Sequence, residues 1–253
     1  MITSLVLIAA AVREESAYLR SRLEKPRTFS IGGREAVSGY IGGAPVRILT
    51  TGPGQVNAVQ ALTAAIEGER PALILQTGCA GAFALSGLGI GDIGIATEEI
   101  DVHLGVEPRE TGGALEPLPF PVGLYDGRVE MRNRYPLEGP LTRFAGEILG
   151  RAFPDAGVNI LSGPFLTVST ITATDRTALK YHHTFAPCME SMEGAAAARV
   201  AIHYRIPFLE IRSASNLVGK RDRENWNLAL AFERCGQAVW SLLQGDMRSW
   251  LNT

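Results

Sequence analysis

The sequence predicts an α/β fold, a three-layer αβα arrangement with a mixed, mostly parallel central sheet. Three observations predict it. Apolar runs of strand length alternate along the chain with segments of helical period, the pattern of a sheet covered by helices on both faces. Glycine-rich breaks follow several of those runs, as at Gly52-Pro53-Gly54 and Thr77-Gly78-Cys79-Ala80-Gly81, where a chain leaving a strand must turn. No internal repeat or linker divides the 253 residues, so residues 1–253 read as one domain.

Taken in order, Ile2–Val12 is apolar and reads as a buried first strand. Its Ala9-Ala10-Ala11 imitates a signal-peptidase site, but no positive charge precedes it and the run is short for a signal peptide. Arg13–Leu23 has helical spacing. Arg27–Gly32 and Glu35–Ile41 read as a hairpin about Gly32-Gly33, and Val46–Thr51 as a further strand. Gln55–Glu67 continues as a helix with Val59, Leu62 and Ile66 on one face. Ala72–Gln76 is a buried strand ending in the Thr77–Gly81 motif, and Asp92–Glu98 is another. Residues 109–136 carry glycine, proline and charge without a period and read as a long loop. Leu141–Phe153 reads as helix, and Ile160–Thr174 as strand broken at Gly163-Pro164. Glu190–Tyr204 is an alanine-rich helix, a composition that permits close packing. Pro207–Ser213 is a buried strand. Glu224–Leu243 is a long helix with Leu228, Ala231, Phe232, Cys235, Val239 and Leu242 on one stripe.

The charge balance excludes several classes of function. Lys plus Arg number 24 against 26 Asp plus Glu, which does not fit a strongly basic nucleic-acid or membrane-surface binder. No apolar run approaches the ~18 residues of a membrane span. Cys79, Cys188 and Cys235 are odd in number, widely spaced and without CxxC. They argue against a disulfide framework or zinc cluster and for a reducing, cytoplasmic compartment. His103, His182, His183 and His203 show no metal-ligand spacing, and the adjacent His182–His183 point apart on a helix. The expectation is no metal site and no nucleic-acid or membrane partner.

In open α/β sheets ligands lie beyond the carboxyl ends of the strands, which directs attention to Glu14/Glu15, Gly52–Gly54, Thr77–Gly81, Thr167–Thr174 and Ser213–Asn216. Gly52-Pro53-Gly54 is either a phosphate cradle or a tight turn. It lacks the GxGxxG pattern and the Lys-Ser/Thr of a P-loop, and the turn reading fits better. Cys79 as a nucleophile would need a histidine base, so an inert buried thiol is the simpler reading. The small Ala80 and Gly81 let a ligand approach the backbone. Glu14 and Glu15 open a helix, where its dipole alone favours acids. Glu193 sits beside Met192 and small residues, and a carboxylate buried there must be bonded. Asn216, after Ile211-Arg212-Ser213-Ala214-Ser215, is either a ligand-facing amide or a turn asparagine.

These stretches resemble the nucleoside phosphorylase and nucleosidase superfamily, and within it the methylthioadenosine/S-adenosylhomocysteine nucleosidase branch. The resemblance rests on Ala11-Val12-Arg13-Glu14-Glu15, Thr51-Gly52-Pro53-Gly54, Thr77–Gly81 with Gly91-Asp92-Ile93, Ser191-Met192-Glu193-Gly194-Ala195, and Arg212-Ser213-Ala214-Ser215-Asn216, in that order. It covers all but about residues 109–150. It implies a nucleoside phosphorylase-like fold, a small-molecule nucleoside substrate, no cofactor, and a homodimer or higher homo-oligomer. Glu15 matches the acid that activates the attacking water. Glu193 matches the carboxylate that accepts from the ribose hydroxyls, and Met192 the residue beneath the sugar. Cys79, Ala80, Gly81 and Ser191 fall at substrate-binding positions, with Arg212 and Ser215 expected to position the purine.

Asn216 stands where adenine-specific nucleosidases carry an aspartate. An amide donates to O6 of a 6-oxopurine and accepts from its N7–H, whereas an ionised carboxylate would face O6 with like polarity. Ser191 also replaces a family glutamate, and the Ala173–Thr174 region lacks the expected Phe–Ile pair. The run Ser215–Asp222 with Trp226 resembles the futalosine hydrolases, which release hypoxanthine in the alternative menaquinone pathway. That resemblance implies a basic residue near the substrate's 5′ carboxylate, from Arg221, Arg223 or the 109–136 loop. A methylthioadenosine/S-adenosylhomocysteine nucleosidase, a purine nucleoside phosphorylase and a non-catalytic nucleoside-binding protein remain the alternatives. Against phosphorolysis, Ala9–Val12 and Gln76 stand where phosphorylases place phosphate-binding arginines.

Overall fold

The computed structural model describes residues 5–108, 115–137, 139–154 and 157–244. Residues 2–4 of the expected first strand and 109–114 of the expected loop lie outside these. In chain order the elements are β1 (Val6–Ala10), α1 (Ala17–Arg20), β2 (Glu24–Ile31), β3 (Arg34–Ile41), β4 (Ala44–Thr50), α2 (Gln55–Gly68), β5 (Leu73–Ala82) and β6 (Ile93–Asp101). There follow β7 (Gly123–Tyr125), β8 (Val129–Met131), β9 (Arg134–Pro136), α3 (Gly139–Ala152), β10 (Ile160–Thr167), α4 (Asp175–Phe185), β11 (Met189–Ser191), α5 (Gly194–Tyr204), β12 (Phe208–Leu217) and α6 (Leu228–Gln244).

One mixed sheet runs in the order β11-β10-β6-β12-β5-β1-β4-β3-β2, with β9 beside β6. Its centre is parallel, β4 to β1 to β5 to β12. It turns antiparallel in the β2–β3–β4 meander and where β12 meets β6. Strand alternation sorts the core into two layers. Leu7 and Ile74 pack toward α2 and α5 with Leu62, Ile66 and Ala197. Val6, Ile8 and Leu75 pack the other way against Leu19 of α1, Leu149 of α3 and Val239 of α6. The alanines of α5 bring that helix close to the sheet, with Ala195, Ala197, Ala198 and Ala201 at 1% exposure or less.

Several boundaries depart from the sequence reading, each for a tertiary reason. The segment 13–23 is mostly short turns: a 3-10 turn at Glu14–Ser16, then the single-turn α1. The Thr77–Gly81 motif is strand, because β12 pairs with β5 along its length. Glu190 and Ser191 pair as strand with β5 and β10, so the alanine-rich helix begins only at Gly194. The inward face of α2 is Ala58, Ala61, Leu62, Ala65 and Ile66. Val59 is 41% exposed, and Val56 more so. Leu228, expected on the buried stripe of α6, is likewise 41% exposed. The 109–136 segment contains β7, β8 and β9. Among the described residues no helix is long and apolar enough to cross a membrane.

Candidate active site

The carboxyl ends of β1, β5 and β12 open into a cavity of about 350 Å³, within the range of small-ligand sites. All the site residues read from the sequence line it: Glu15, Cys79, Ala80, Gly81, Ser191, Met192, Glu193, Arg212, Ser215 and Asn216. Glu14 points to solvent, so the two adjacent acids separate into one surface and one cavity carboxylate.

Glu15 is 3% exposed. Its Oε2 accepts from the backbone N–H groups of Ala11 (2.8 Å) and Val12 (3.1 Å), and its Oε1 from that of Cys79 (2.9 Å). Burial raises its pKa above the ordinary carboxylate range, opposed by Arg212 and by the Cys79 and Val12 bonds. The result is a fixed carboxylate with a strengthened affinity for a proton, suited to a general base. Gly78 makes the approach possible. Its φ is +149°, and a Cβ there would overlap the Glu15 carboxyl group.

Glu193 precedes the first residue of α5, beyond the end of β11. Its Oε1 accepts from the Gly54 N–H at 2.8 Å, and its Oε2 from Arg212 Nη2 at 3.1 Å. The Gly52-Pro53-Gly54 turn therefore gives an N–H to this carboxylate, which agrees with the turn reading. Arg212, 1% exposed, also donates through Nε to Glu210 Oε1 (2.8 Å) and through Nη1 to the Cys79 carbonyl (3.1 Å). Burial alone would lower its pKa, but the charges of Glu210, Glu193 and Glu15 outweigh that and keep the guanidinium protonated. Arg212 lines the cavity, and its protein bonds go to carboxylates and a carbonyl. Cys79 contributes through its backbone. Its thiol is pushed up by burial and by the Glu15 charge, so it stays protonated and is not an activated nucleophile.

At the other end, a bulge in β12 sets Ser215 and Asn216 against Gly81 alone. Such an extra residue re-aims the side chains that follow. The Ser215 hydroxyl lies 2.8 Å from Asn216 Oδ1 and 3.2 Å from the Ala80 carbonyl, and Asn216 Nδ2 donates to the Leu217 carbonyl at 3.0 Å. Ser215 thus orients Asn216 at the cavity edge.

Sequence reasoning missed several lining residues. Ile171 and Thr172, rather than Ala173–Thr174, face the cavity. Glu190, 7% exposed, also lines it and accepts from Thr172 N–H (3.1 Å) and Oγ1 (2.5 Å). Burial raises its pKa against those two bonds. A carboxylate in the short run Met189–Ser191, placed opposite Gly81 by β11, had no sequence signal beyond its closeness to Glu193. Arg221 lines the cavity and lies over the Trp226 ring, 5.3 Å from its centroid. Arg223 does not line it. Of the loop arginines, Arg128, Arg132 and Arg134 do not line it; Arg132 donates to Leu118 O and Arg134 pairs with Glu98, and Arg109 lies outside the described residues. Among the described residues no group of three His, Cys, Asp or Glu is arranged to hold a metal ion.

The family pattern of the phosphorylase superfamily matches residues 4–244. The chain belongs to that superfamily. Its relatives include a 5′-methylthioadenosine/S-adenosylhomocysteine nucleosidase of Geobacillus sp. (strain WCH70), 30% identical over 85% of this chain and 86% of the relative. The futalosine hydrolase of Thermus thermophilus is 32% identical over 77% of this chain and 80% of its own length. The adenine complex of the Colwellia psychrerythraea 5′-methylthioadenosine/S-adenosylhomocysteine nucleosidase superposes with a TM-score of 0.80 at 23% identity, covering 95% of each chain. That likeness establishes the shared fold. Within the phosphorylase superfamily this chain is an enzyme of the nucleosidase type, an N-glycosyl hydrolase.

Proposed function

We propose that the enzyme hydrolyses the N-glycosidic bond of a 6-oxopurine nucleoside with an anionic 5′ extension, and that its substrate is futalosine, cleaved to hypoxanthine and dehypoxanthinyl futalosine. The observation that carries this reading is the amide of Asn216 at the cavity edge, oriented by Ser215. It matches O6 and N7–H of hypoxanthine. Glu190 supports it from the strand on the other side of Gly81: a 6-oxopurine offers N1–H to a carboxylate, whereas adenine presents a lone pair there. Arg221 over Trp226 gives the 5′ end a cation beside an aromatic surface.

In this mechanism the C–N bond breaks early and the ribose gains oxocarbenium character, as in O-glycoside hydrolysis. Glu193 accepts from the ribose hydroxyls, and its charge favours the cationic sugar. Glu15 orients and deprotonates the water. As the bond breaks, N7 takes a proton from solvent. Asn216 accepts from that N7–H while donating to O6 and itself transfers no proton. The proton that Glu15 takes from the attacking water returns to solvent. Water is favoured over phosphate because Arg212, the arginine bonded to the Glu193 end of the cavity, is engaged by Glu193 and Glu210 and so is a poor clamp for a phosphate.

A second reading is hydrolysis of methylthioadenosine or S-adenosylhomocysteine, and the comparisons favour it: more of the relatives carry that name than futalosine hydrolase. One experiment separates the two. The enzyme is incubated with futalosine, inosine and methylthioadenosine, with and without phosphate, and the base and sugar products are identified. Hypoxanthine from futalosine, fastest of the three and independent of phosphate, is the expected result. Preferential release of adenine from methylthioadenosine establishes the second reading. Phosphate dependence with a sugar phosphate product overturns hydrolysis.

A further inference from the structure

Beneath the ribose end of the cavity lie two carboxyl groups that the mechanism above does not use. Glu99 on β6 and Glu210 on β12 are both fully buried, at 0% exposure. They meet because β6 carries a bulge. Gly163 pairs with Ala96 and Pro164 with Glu98, so Thr97 is the extra residue, and the alternation beyond it is shifted by one. Glu99 is thereby turned to the α5 side of the sheet, the side of Arg212. Each carboxyl group has one oxygen bonded to protein. Glu99 Oε2 accepts from Thr167 Oγ1 (2.7 Å), which itself accepts from the Ala195 N–H (2.7 Å), and Glu210 Oε1 accepts from Arg212 Nε (2.8 Å). The other two oxygens, Glu99 Oε1 and Glu210 Oε2, are buried with no separate donor. Both converge on Gly194, where an added Cβ would overlap the pair. The glycine that opens α5 is thus the space in which the two acids face each other.

Two adjacent carboxylates out of water cannot both be ionised beside a single guanidinium that is already shared with Glu193. We propose that Glu99 and Glu210 share one proton as an acid–carboxylate pair, Glu99 donating to Glu210, and that this pair is a positioning device for catalysis: its single negative charge holds Arg212 and leaves the charge of Glu193 directed at the ribose. Glu210 is the anionic member because it accepts from the Arg212 guanidinium, while Glu99 accepts from the Thr167 hydroxyl. Burial and the Glu210 charge push the Glu99 carboxyl well above its ordinary pKa, in keeping with that assignment. Without the pair, Arg212 would have Glu193 as its one direct carboxylate partner and would offset the charge the sugar cation needs. The inference depends on no choice of purine or 5′ group.

The test uses the intact enzyme and whichever nucleoside it hydrolyses fastest in the panel above. Infrared spectra of the wild type should show the carbonyl stretch of a buried protonated carboxylic acid, and Glu99→Gln should remove that band. An amide at 99 preserves the donor, so Glu99→Gln should keep kcat within about threefold, whereas Glu99→Leu should lower it further. Glu210→Gln should reduce kcat on the order of 10²-fold, the scale of losing a preorganised electrostatic partner, with a smaller change in KM. The proposal is overturned if the wild type lacks the band, if Glu99→Gln is as damaging as Glu210→Gln, or if Glu210→Gln turns over like the wild type. Should Glu210→Gln fail to fold, the band and the contrast between Glu99→Gln and Glu99→Leu decide the matter.

Discussion

Replacing Glu15 with glutamine tests the proposed catalytic centre most directly, because the geometry predicts both a structural and a chemical consequence. Two carboxylate oxygens receive three backbone N–H groups, from Ala11, Val12 and Cys79. A glutamine has one oxygen and one NH₂, so whichever way the amide turns, at least one N–H faces another donor. An unpaired buried donor costs about 1–3 kcal/mol. That is less than the roughly 5–15 kcal/mol stability of a typical domain, and Glu15→Gln should fold. Loss of the base should lower kcat by roughly 10²- to 10⁴-fold, measured as purine released per enzyme. The pH profile gives a second readout. Glu15 acts when ionised and its pKa is raised by burial. Wild-type activity should therefore fall with decreasing pH along a limb above the ordinary carboxylate range. In Glu15→Gln that limb should be missing from the residual activity. A folded variant with kcat within about tenfold of wild type, or with the acid limb intact, would refute the assignment of Glu15 as base.

Three other substitutions follow from the same geometry. Gly78→Ala places a Cβ on the Glu15 carboxyl at a φ of +149°. It should cost about 1–3 kcal/mol in denaturant unfolding and lower kcat with it, and wild-type values for both would remove the close-approach argument. Asn216→Asp should lower kcat/KM for hypoxanthine release roughly 10- to 10²-fold and raise adenine release; an unchanged ratio of the two bases would show that the amide does not read the purine. Arg221→Glu should raise KM for futalosine by roughly threefold to tenfold at low salt, the modest scale of an exposed charge, and leave KM for inosine nearly unchanged. Equal changes for the two substrates would place the 5′ carboxylate elsewhere.

Much of the site was legible because its residues stand at strand ends. Glu15, Gly54, the Thr77–Gly81 motif and Asn216 each follow an apolar run, and such ends gather on one side of an α/β sheet; Glu193 stood out instead as a carboxylate beside Met192 and small residues. The unread residues are those whose neighbours come from distant segments. Glu210 sits inside the apolar run Phe208–Ile211, and Glu99 near the end of Ile93–Asp101. An acid within a buried strand was the available signal, but its partner cannot be found from local spacing. Glu190 was hidden for a similar reason: the local sequence favours helix over 190–204, and only pairing with Gly81 and Leu166 makes it strand. The protein partners of Arg212 were equally unreadable: its position at a strand end suggests a ligand, and its bonds to Glu193, Glu210 and Cys79 come from three separate strands and turns.

The amino-acid sequence by itself determined the alternation of strands and helices and the two-sided burial of the central strands, since each depends on periodicity and chain breaks within a few residues, and it marked the strand ends from which part of the cavity is built. The tertiary structure alone decided which acid meets which donor. Glu15 and Cys79 are 64 positions apart, and Glu193 and Gly54 are 139 apart. Their meeting depends on the register of strands distant in sequence and on the bulges at Thr97 and Ser215. A shift of one residue turns a side chain to the other face of the sheet, and no local pattern records where such a shift falls.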